Sequence, residues 1–271
     1  MSRKNSLVNR VAVVTGASSG IGRALALALA REGAHLVLAS RNVQALQELA
    51  MQIGAMGRQA LVVPTDVTRQ PDVQRMVAES LAKWGRVDVL VANAGQYVRS
   101  PIRDLTVAHM QRSMAINFYG ALYAVLELLP HMLERRRGHI VLMCTFDAKK
   151  GLPLDAPYVA AKSALAGFGE VLRQELHGSG VYVTTVFPGR VDTPLIANLR
   201  VPWVSAKIPA ETVARATVRA IYRRQPEVIV PRLAIGLLYV NTLSPRLGDR
   251  IARLLHLQGW EIGPPAQCER S

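Results

Sequence analysis

The pair of residues best suited to proton transfer is a phenol and an ammonium four positions apart. Tyr158 and Lys162 stand in the segment APYVAAKSA, whose composition predicts a helix, so the two side chains share one face. A tyrosine is a weak acid at neutral pH, because its ordinary pKa is about 10. A lysine cation one helical turn away favours the phenolate and lowers that pKa. The spacing predicts a tyrosine acid–base catalyst; the alternative is a surface helix with an aromatic contact and a solvated lysine.

A glycine-rich segment, TGASSGIG at 15–22, separates an aliphatic run from an alanine-rich helical segment. Gly16 permits a tight turn, Gly20 lets the backbone approach a phosphate, and Gly22 lets the helix pack closely on the strand. The N-terminus of the helix then faces the pyrophosphate of a dinucleotide. The spacing differs from the common G-x-G-x-x-G form, so the interpretation depends on the strand–loop–helix context.

Seven short aliphatic runs alternate with helical segments along the chain. Such runs are typical of strands buried on both faces, and the alternation predicts a single Rossmann-like, doubly wound parallel sheet flanked by helices. We expect residues 1–194 to form the core, and residues 195–271 to add, in the same domain, a substrate-side segment, the last helix and strand, and a basic C-terminal helical extension. The predicted strands are 11–15, 35–39, 60–64, 87–92, 139–144, 181–187 and 227–231. The predicted helix caps are Gly33, Gly57, Gly85 and Gly138.

The composition limits the class of protein. Half of the 271 residues are apolar, which is enough for a substantial core. Cys144 and Cys268 have no metal-ligand spacing, so we predict free thiols, no metal site and a reducing, cytoplasmic location. No apolar signal segment precedes the first strand, and we expect no helix long enough to span a membrane.

The net charge of +14 raises the question of an anionic partner. The charges are dispersed, and the densest run, residues 134–139, falls at a predicted helix end, where cations interact favourably with the helix dipole. No zinc-finger spacing or RNA-binding signature accompanies the charge. We therefore predict no nucleic-acid partner, and assign the basic residues to an anionic cofactor, solubility or a surface contact.

Five segments occur in the order and spacing of the short-chain dehydrogenases/reductases, and the chain resembles this family over residues 8–194. The resemblance implies hydride transfer between a nicotinamide cofactor and a carbonyl or secondary alcohol. Two positions depart from the family pattern: Ala92 replaces an asparagine, so that only Asn93 is retained, and Thr145 replaces the catalytic serine. The five segments are TGASSGIG (15–22), ANAG (92–95), NFYG (117–120), YVAAK (158–162) and PGRVDT (188–193).

The resemblance assigns a role to each catalytic candidate. Tyr158 would be the general acid/base, Lys162 would also hold the nicotinamide ribose, and Asn117 would hold a water of the proton relay. Thr145 would donate a hydrogen bond to the substrate carbonyl. Because its methyl group restricts the side chain and crowds the pocket, the alternative for Thr145 is a strand residue without catalytic contact.

The residues after the second predicted strand bear on the choice of cofactor. Folds that prefer NAD place an acidic residue there, whereas this sequence has Ser40 followed by Arg41. A guanidinium suits a 2′-phosphate, so we predict NADP(H) rather than NAD(H); a solvated loop arginine is the alternative. By resemblance, Asp66 would bind the adenine and Thr193 the carboxamide. The cofactor-binding candidates are Gly16, Ser18, Ser19, Gly20, Ile21, Gly22, Ser40, Arg41, Asp66, Val67, Asn93, Ala94, Gly95, Tyr158, Lys162, Pro188, Gly189, Val191 and Thr193.

The substrate segments, 96–105, 146–157 and the region after Thr193, contain no recognisable specificity motif. We predict a small, apolar carbonyl or alcohol substrate, and a homodimer or homotetramer, because family members commonly associate in this way. A non-catalytic NADP(H)-binding redox sensor or scaffold is the alternative function, against which the intact Asn117, Tyr158 and Lys162 count. The residues that suggest an apolar pocket are Tyr97, Phe146, Leu152, Leu154 and Trp203.

The C-terminal segment 231–260 has a short apolar run followed by apolar residues at helical spacing. Arginines fall near the opposite side of that helix, so a peripheral contact with anionic lipid is one interpretation. The alternative is a helix that packs on the domain or on a sister subunit. The apolar residues are Ile251, Leu254 and Leu255, and the arginines are Arg246, Arg250 and Arg253.

Overall fold

The computed structural model describes residues 7–231 and 233–261. A seven-stranded sheet forms its centre, in the order β7-β6-β5-β4-β1-β2-β3, and every neighbouring pair is parallel. The predicted doubly wound parallel sheet is therefore confirmed. The strands are β1 (Val11–Thr15), β2 (His35–Ser40), β3 (Ala60–Pro64), β4 (Val89–Ala92), β5 (Gly138–Met143), β6 (Val181–Pro188) and β7 (Glu227–Val230).

Helices cover both faces of the sheet, which is why its central strands are apolar on both sides. Apolar residues of α1, α2 and α6 form the core on one face, and those of α3, α4 and α5 form the core on the other. The helices are α1 (Gly20–Arg31), α2 (Val43–Ala55), α3 (Gln70–Trp84), α4 (Val107–Glu134), α5 (Ala156–Glu175), α6 (Ala210–Arg223), α7 (Ala234–Leu243) and α8 (Pro245–Leu254).

One predicted helix cap is wrong. Gly33, Gly57 and Gly85 adopt the left-handed conformation expected after a helix, but Gly138 does not. Arg136, with φ of 47°, takes that conformation after α4, and Gly138 begins β5. The glycine is needed there for space, because a Cβ at this position would lie 2.5 Å from the sulfur of Met132.

The expectation that no segment is long enough to span a membrane is also wrong. Helix α4 has 28 residues and an apolar composition, and it includes a π-helical turn at Ala115–Tyr119. Length and composition are weak support for a span, because core helices meet the same criteria. Ala124, Leu128 and Met132 of α4 are fully buried in the core beside the sheet, so we assign α4 to the fold.

The C-terminal segment returns to the body of the protein after α8. Trp260 and Glu261 pair with Leu199 and Arg200 in a short antiparallel ladder. Helices α7 and α8 contact each other and have few buried side chains. Cys268 lies outside the described residues.

Candidate active site

A cavity of about 380 Å³ opens at the carboxyl ends of the parallel strands. The strand order reverses between β1 and β4, which is where open α/β sheets bind ligands. The cavity is lined by every predicted site residue except Gly22 and Asn117. The sequence motifs, which lie far apart along the chain, therefore meet at one edge of the sheet.

The glycine turn between β1 and α1 forms one wall of this cavity. Gly16 has a φ of +65°, which suits glycine, so the tight turn occurs as expected. A Cβ on Gly22 would lie 2.2 Å from the carbonyl oxygen of Gly16, so Gly22 permits close packing behind the turn. The Asn93 amide donates a hydrogen bond to the Thr15 carbonyl oxygen at 3.0 Å, which joins the turn to the end of β4.

The far end of the cavity has the polar groups expected for an adenosine moiety. Ser40 is buried, and its hydroxyl accepts a hydrogen bond from the backbone nitrogen of Asn42, while Arg41 is exposed at the rim of the cavity. Burial acts to raise the pKa of Asp66, but hydrogen bonds from Thr68, with Arg41 and Arg69 nearby, hold that pKa below its usual value. A cation thus lies beside a carboxylate at the end of β2 and β3.

Tyr158 and Lys162 lie on one face of α5, as predicted, and both side chains are buried. The Lys162 ammonium donates a hydrogen bond to the Met143 carbonyl oxygen at 2.8 Å. Burial lowers the pKa of Lys162 to about 8. Burial, and then the negative charge of Asp147, raise the pKa of the Tyr158 hydroxyl above its ordinary value. Among the chain's own groups, burial and nearby negative charge therefore outweigh any lowering of the Tyr158 pKa by Lys162.

Thr145 lies two residues after β5, at the start of a short 3₁₀ turn, and is buried beside Tyr158. Its hydroxyl is within hydrogen-bonding reach of both the Tyr158 hydroxyl and the Asp147 carboxylate. A threonine has a single hydroxyl proton, so Tyr158, Asp147 and any substrate carbonyl would compete for it. The structure thus places the Thr145 hydroxyl beside Tyr158, with the Asp147 carboxylate as an additional acceptor next to it.

Asn117 is fully buried within the π-helical turn of α4, outside the cavity lining. Its amide nitrogen donates to the Gln96 carbonyl oxygen at 2.9 Å, and its amide oxygen accepts from the Gln96 backbone nitrogen at 3.1 Å. Asn117 therefore fixes the loop after β4. Single π-helical turns occur often at functional sites.

Sequence reasoning missed several residues of the cavity wall. Two are charged, Asp147 after β5 and Arg190 after β6, and their position just past a strand end was a signal that could have identified them. Of the five residues proposed to form an apolar pocket, Tyr97 lines the cavity, whereas Phe146, Leu152, Leu154 and Trp203 do not. The missed lining residues are Asn42, Thr65, Ile116, Met143, Cys144, Asp147, Arg190, Pro194, Leu195 and Ile196.

A buried polar cluster lies beside Tyr97 at the wall of the cavity. Asp155, which is fully buried, accepts hydrogen bonds from the Tyr97 hydroxyl and from Arg99, both at 2.8 Å. The Tyr97 ring contacts the Tyr158 ring edge-on, with their centres 4.9 Å apart. Arg99 also donates to the carbonyl oxygen of Gln258 and forms an ion pair with Glu261. The cluster thus connects Tyr158, through Tyr97 and Arg99, to the C-terminal segment.

Two other features limit the chemistry of the site. Burial raises the pKa of the Cys144 thiol to about 11, so this thiol is a poor nucleophile at neutral pH. In residues 7–231 and 233–261, no group of three or more His, Cys, Asp or Glu side chains is arranged to hold a metal ion.

Asp147 provides a test of the electrostatics of the cavity. Burial, and then repulsion from Asp155, raise the pKa of the half-buried Asp147 to about 6. The folded protein then binds more protons than the unfolded chain between about pH 4 and pH 6, so stability falls as the pH rises through this window. Above about pH 6, the ionised Asp147 therefore lowers the free energy of unfolding by at most about 3 kcal/mol. We expect Asp147→Asn to raise the free energy of unfolding by about 1–2 kcal/mol above this window.

Urea denaturation at about pH 7.5 and about pH 4 measures this effect. The gain should shrink to about 0.5 kcal/mol or less at the lower pH, where the folded state holds a proton on Asp147 and the unfolded state is about half protonated. Asp192→Asn, at an exposed carboxylate, is the control and should leave stability within about 0.5 kcal/mol. An equal gain at both pH values would mean that ionisation of Asp147 is not the cause.

The sheet order, the glycine turn and the cavity at the strand ends together define a Rossmann-like fold. The family model for short chain dehydrogenases matches residues 10–202. The chain belongs to the short-chain dehydrogenase/reductase family of oxidoreductases, which confirms the resemblance seen in its motifs.

Individual relatives agree with this membership. Dehydrogenase/reductase SDR family member 7B of Mus musculus is 35% identical over 267 residues, which cover 92% of this chain and 81% of that protein. An uncharacterized oxidoreductase of Staphylococcus epidermidis is 36% identical over 212 residues, 78% of this chain and 90% of the relative. The alcohol dehydrogenase from the archaeon Thermococcus sibiricus, solved in complex with 5-hydroxy-NADP, has a TM-score of 0.75 and 26% identity, covering 82% of this chain and 95% of its own.

Proposed function

We propose that this protein is an NADP(H)-dependent alcohol dehydrogenase or carbonyl reductase. The observation that supports it most strongly is the convergence of Tyr158, Thr145 and Lys162 in the same cavity as the glycine turn. A phenol, a second hydroxyl and a cation beside a dinucleotide-binding turn are the groups needed for proton transfer to a carbonyl oxygen.

Each side chain has a proposed part in the reaction. NADP(H) would supply or accept the hydride at its nicotinamide ring. In reduction, Tyr158 would give its hydroxyl proton to the carbonyl oxygen as negative charge develops there, and in oxidation it would remove that proton. Lys162, buried at the Met143 carbonyl, would hold the nicotinamide ribose, and Asn117 would support the water that returns a proton to Tyr158.

The proposed substrate has an apolar body. Ile116, Met143, Leu195 and Ile196 line the cavity and support this choice. A panel of ketones, aldehydes and secondary alcohols, each assayed with NADPH or NADP⁺ and with NADH or NAD⁺, tests the function. Turnover with the phosphorylated cofactor supports the proposal. Tight NADPH binding without turnover of any carbonyl would favour the redox sensor or scaffold instead.

The preference for NADP(H) rests on the end of β2. Arg41 is exposed at the cavity rim, and Ser40 stands where an acidic residue would accept the ribose hydroxyls of NAD. The Arg41 guanidinium, beside Asp66, would bind the 2′-phosphate. The Asp66 carboxylate would then bind the adenine. That the alcohol dehydrogenase of Thermococcus sibiricus was solved with 5-hydroxy-NADP adds support.

Replacing Arg41 tests this preference. We expect Arg41→Ala to weaken NADPH binding by about 1.5–3 kcal/mol, the range of a hydrogen bond to a charged group. NADH binding should stay nearly unchanged, because NADH lacks the 2′-phosphate. Isothermal titration with both cofactors measures the difference. Arg69→Ala, which removes the other cation near Asp66, is the control; equal losses for both cofactors in Arg41→Ala would contradict the assignment.

Thr145 is the proposed partner of the substrate carbonyl. We expect Thr145→Ser to retain activity, because the hydroxyl is kept. Thr145→Val keeps the shape but removes the hydroxyl, and should lower kcat by about 100-fold, the effect of losing one oxyanion donor. A fully active valine variant would show that Thr145 only packs in the loop.

Association into a homodimer or homotetramer is also proposed. The exposed faces of α4 and α5 have large apolar side chains, with Leu126 53% and Val171 52% exposed. Such side chains on neighbouring helices support a subunit contact through the helix that contains Tyr158. Light scattering after size-exclusion chromatography measures the number of subunits. The buried thiol of Cys144 supports the proposed cytoplasmic location.

A further inference from the structure

Helices α7 and α8 expose an apolar surface that the rest of the described chain leaves uncovered. Leu233 is 92% exposed, Leu243 87% and Leu254 79%. No residue of α7 is buried, and α8 buries Gly248 and Ala252. Exposed apolar surface of this kind marks a contact site in soluble folds. Further exposed apolar residues are Tyr239, Leu247, Leu255 and Trp260.

The two helices form a close corner, which brings their exposed side chains together. Ser244 ends α7 and begins α8, and its hydroxyl accepts a hydrogen bond from the Leu247 amide at 3.4 Å. A Cβ on Gly248 would lie 3.1 Å from the Cα of Asn241, so this glycine permits the close approach of the helices. The corner therefore acts as one surface.

Positive charge flanks the leucines of α8. Leu247 and Leu254 are seven residues apart and lie on one side of the helix. Arginines occupy the adjacent side, and the acidic residue of α8, Asp249, is paired with Lys150. Helix α7 has no charged residue. The three arginines, all exposed, are Arg246, Arg250 and Arg253.

We propose that the surface formed by α7 and α8 docks on an anionic lipid bilayer. The leucines would enter the boundary between headgroups and acyl chains, and the arginines would contact lipid phosphates. A second copy of this chain fits the surface less well, because a symmetric contact through this face would bring the same arginines together. Anionic lipid supplies the opposite charge.

The segment that follows the docking surface is bonded to Arg190 and Arg99, at and next to the cavity wall. Arg190, which lines the cavity, donates a hydrogen bond to the Leu257 carbonyl oxygen, just beyond α8. Arg99, two residues after the cavity residue Tyr97, donates to the Gln258 carbonyl oxygen at 3.0 Å. A bilayer against α7 and α8 would therefore lie near the cavity wall at Tyr97 and Arg190; that an apolar substrate enters there rests on the proposed function.

Co-sedimentation of the full chain with vesicles tests the proposal. We expect binding to phosphatidylglycerol vesicles at low salt, release at high salt, and little binding to pure phosphatidylcholine vesicles. The triple variant Arg246→Gln/Arg250→Gln/Arg253→Gln should lower the partition coefficient by about 100-fold, because each arginine contributes about 1 kcal/mol near an anionic surface. The triple variant Arg215→Gln/Arg219→Gln/Arg223→Gln removes the same charge from the exposed face of α6 and should have a much smaller effect.

A second variant tests the apolar contribution. Leu243→Ser/Leu254→Ser should lower vesicle binding at least about tenfold, while Met51→Ser, at an exposed apolar residue of α2, should not. Thermal unfolding shows that each variant is folded. No binding of the unsubstituted chain at low salt, or equal losses for the α6 and α8 arginine variants, would overturn the proposal. Loss of oligomers in the leucine variant, without vesicle binding by the parent, would assign the surface to a second copy.

Discussion

Replacing the hydroxyl of Tyr158 by hydrogen is expected to lower kcat by about two to four orders of magnitude, the usual contribution of general acid–base catalysis. Tyr158→Phe keeps the buried ring and its edge-on contact with Tyr97, so the fold and the cofactor-binding turn should be unaffected. The affinity for NADPH should therefore remain within about twofold, since the phenol is proposed to act on the substrate oxygen. The rate with the best carbonyl of the substrate panel, followed by nicotinamide absorbance, measures the loss.

The matched control is the neighbouring tyrosine. Tyr97→Phe also removes a phenolic hydroxyl, here a part-buried one, but that hydroxyl donates to Asp155 at 2.8 Å and is not proposed to transfer a proton. We expect Tyr97→Phe to change kcat by less than about tenfold and mainly to lower stability, by about 1 kcal/mol. Near-normal turnover in Tyr158→Phe, or an equal loss in both variants, would contradict the proposed proton donor.

The largest expected effect on stability is at Arg99. Its guanidinium is the charged partner of the fully buried Asp155, and it also binds Gln258 and Glu261 of the C-terminal segment. Removing one member of a buried ion pair leaves an uncompensated charge, which typically costs about 3–5 kcal/mol. We expect Arg99→Ala to lower the free energy of unfolding by that amount, measured by urea denaturation.

Two further variants identify the cause. Arg103→Ala removes an exposed arginine of the same loop and should change stability by less than about 0.5 kcal/mol. Arg99→Ala/Asp155→Asn removes the uncompensated charge together with its partner and should recover part of the loss. If Arg99→Ala costs less than about 1 kcal/mol, or if the double variant recovers nothing, the buried charge is not what Arg99 stabilises.

The local sequence pattern was sufficient to predict the site residues that lie just after the ends of strands. The aliphatic runs predicted the strands because the central strands of the sheet are buried on both faces, and parallel strands end at the same edge. The glycine turn, Asp66, Asn93, Thr145 and Thr193 follow such strand ends, and the structure brings all of them to one cavity. Gly138 was misread because its reason is contact with Met132 rather than the left-handed backbone of a helix cap.

Long-range contacts account for what local pattern did not predict. The four-residue spacing placed Tyr158 and Lys162 on one face, but the partner of the Lys162 ammonium is the Met143 carbonyl oxygen at the end of β5. A backbone carbonyl has no signature in the sequence, and its availability depends on how α5 packs across the sheet. Asn117 likewise has its amide group bonded to the backbone of Gln96, a contact that depends on the π-helical turn in α4 and has no signature in the sequence.

By itself, then, the amino-acid sequence determined the parallel sheet, the glycine turn and the family, because these depend on residue types at short, regular spacing. Only the tertiary structure decided the electrostatics of the site: Asp147 comes to share the hydroxyl of Thr145, and Asp155 is paired with Arg99. Burial sets these interactions, and burial depends on segments such as Gln258–Glu261 that fold back from the far end of the chain. The same long-range packing leaves the large apolar side chains of α7 and α8 uncovered by the other residues that the structure describes, which helical spacing suggested but could not decide.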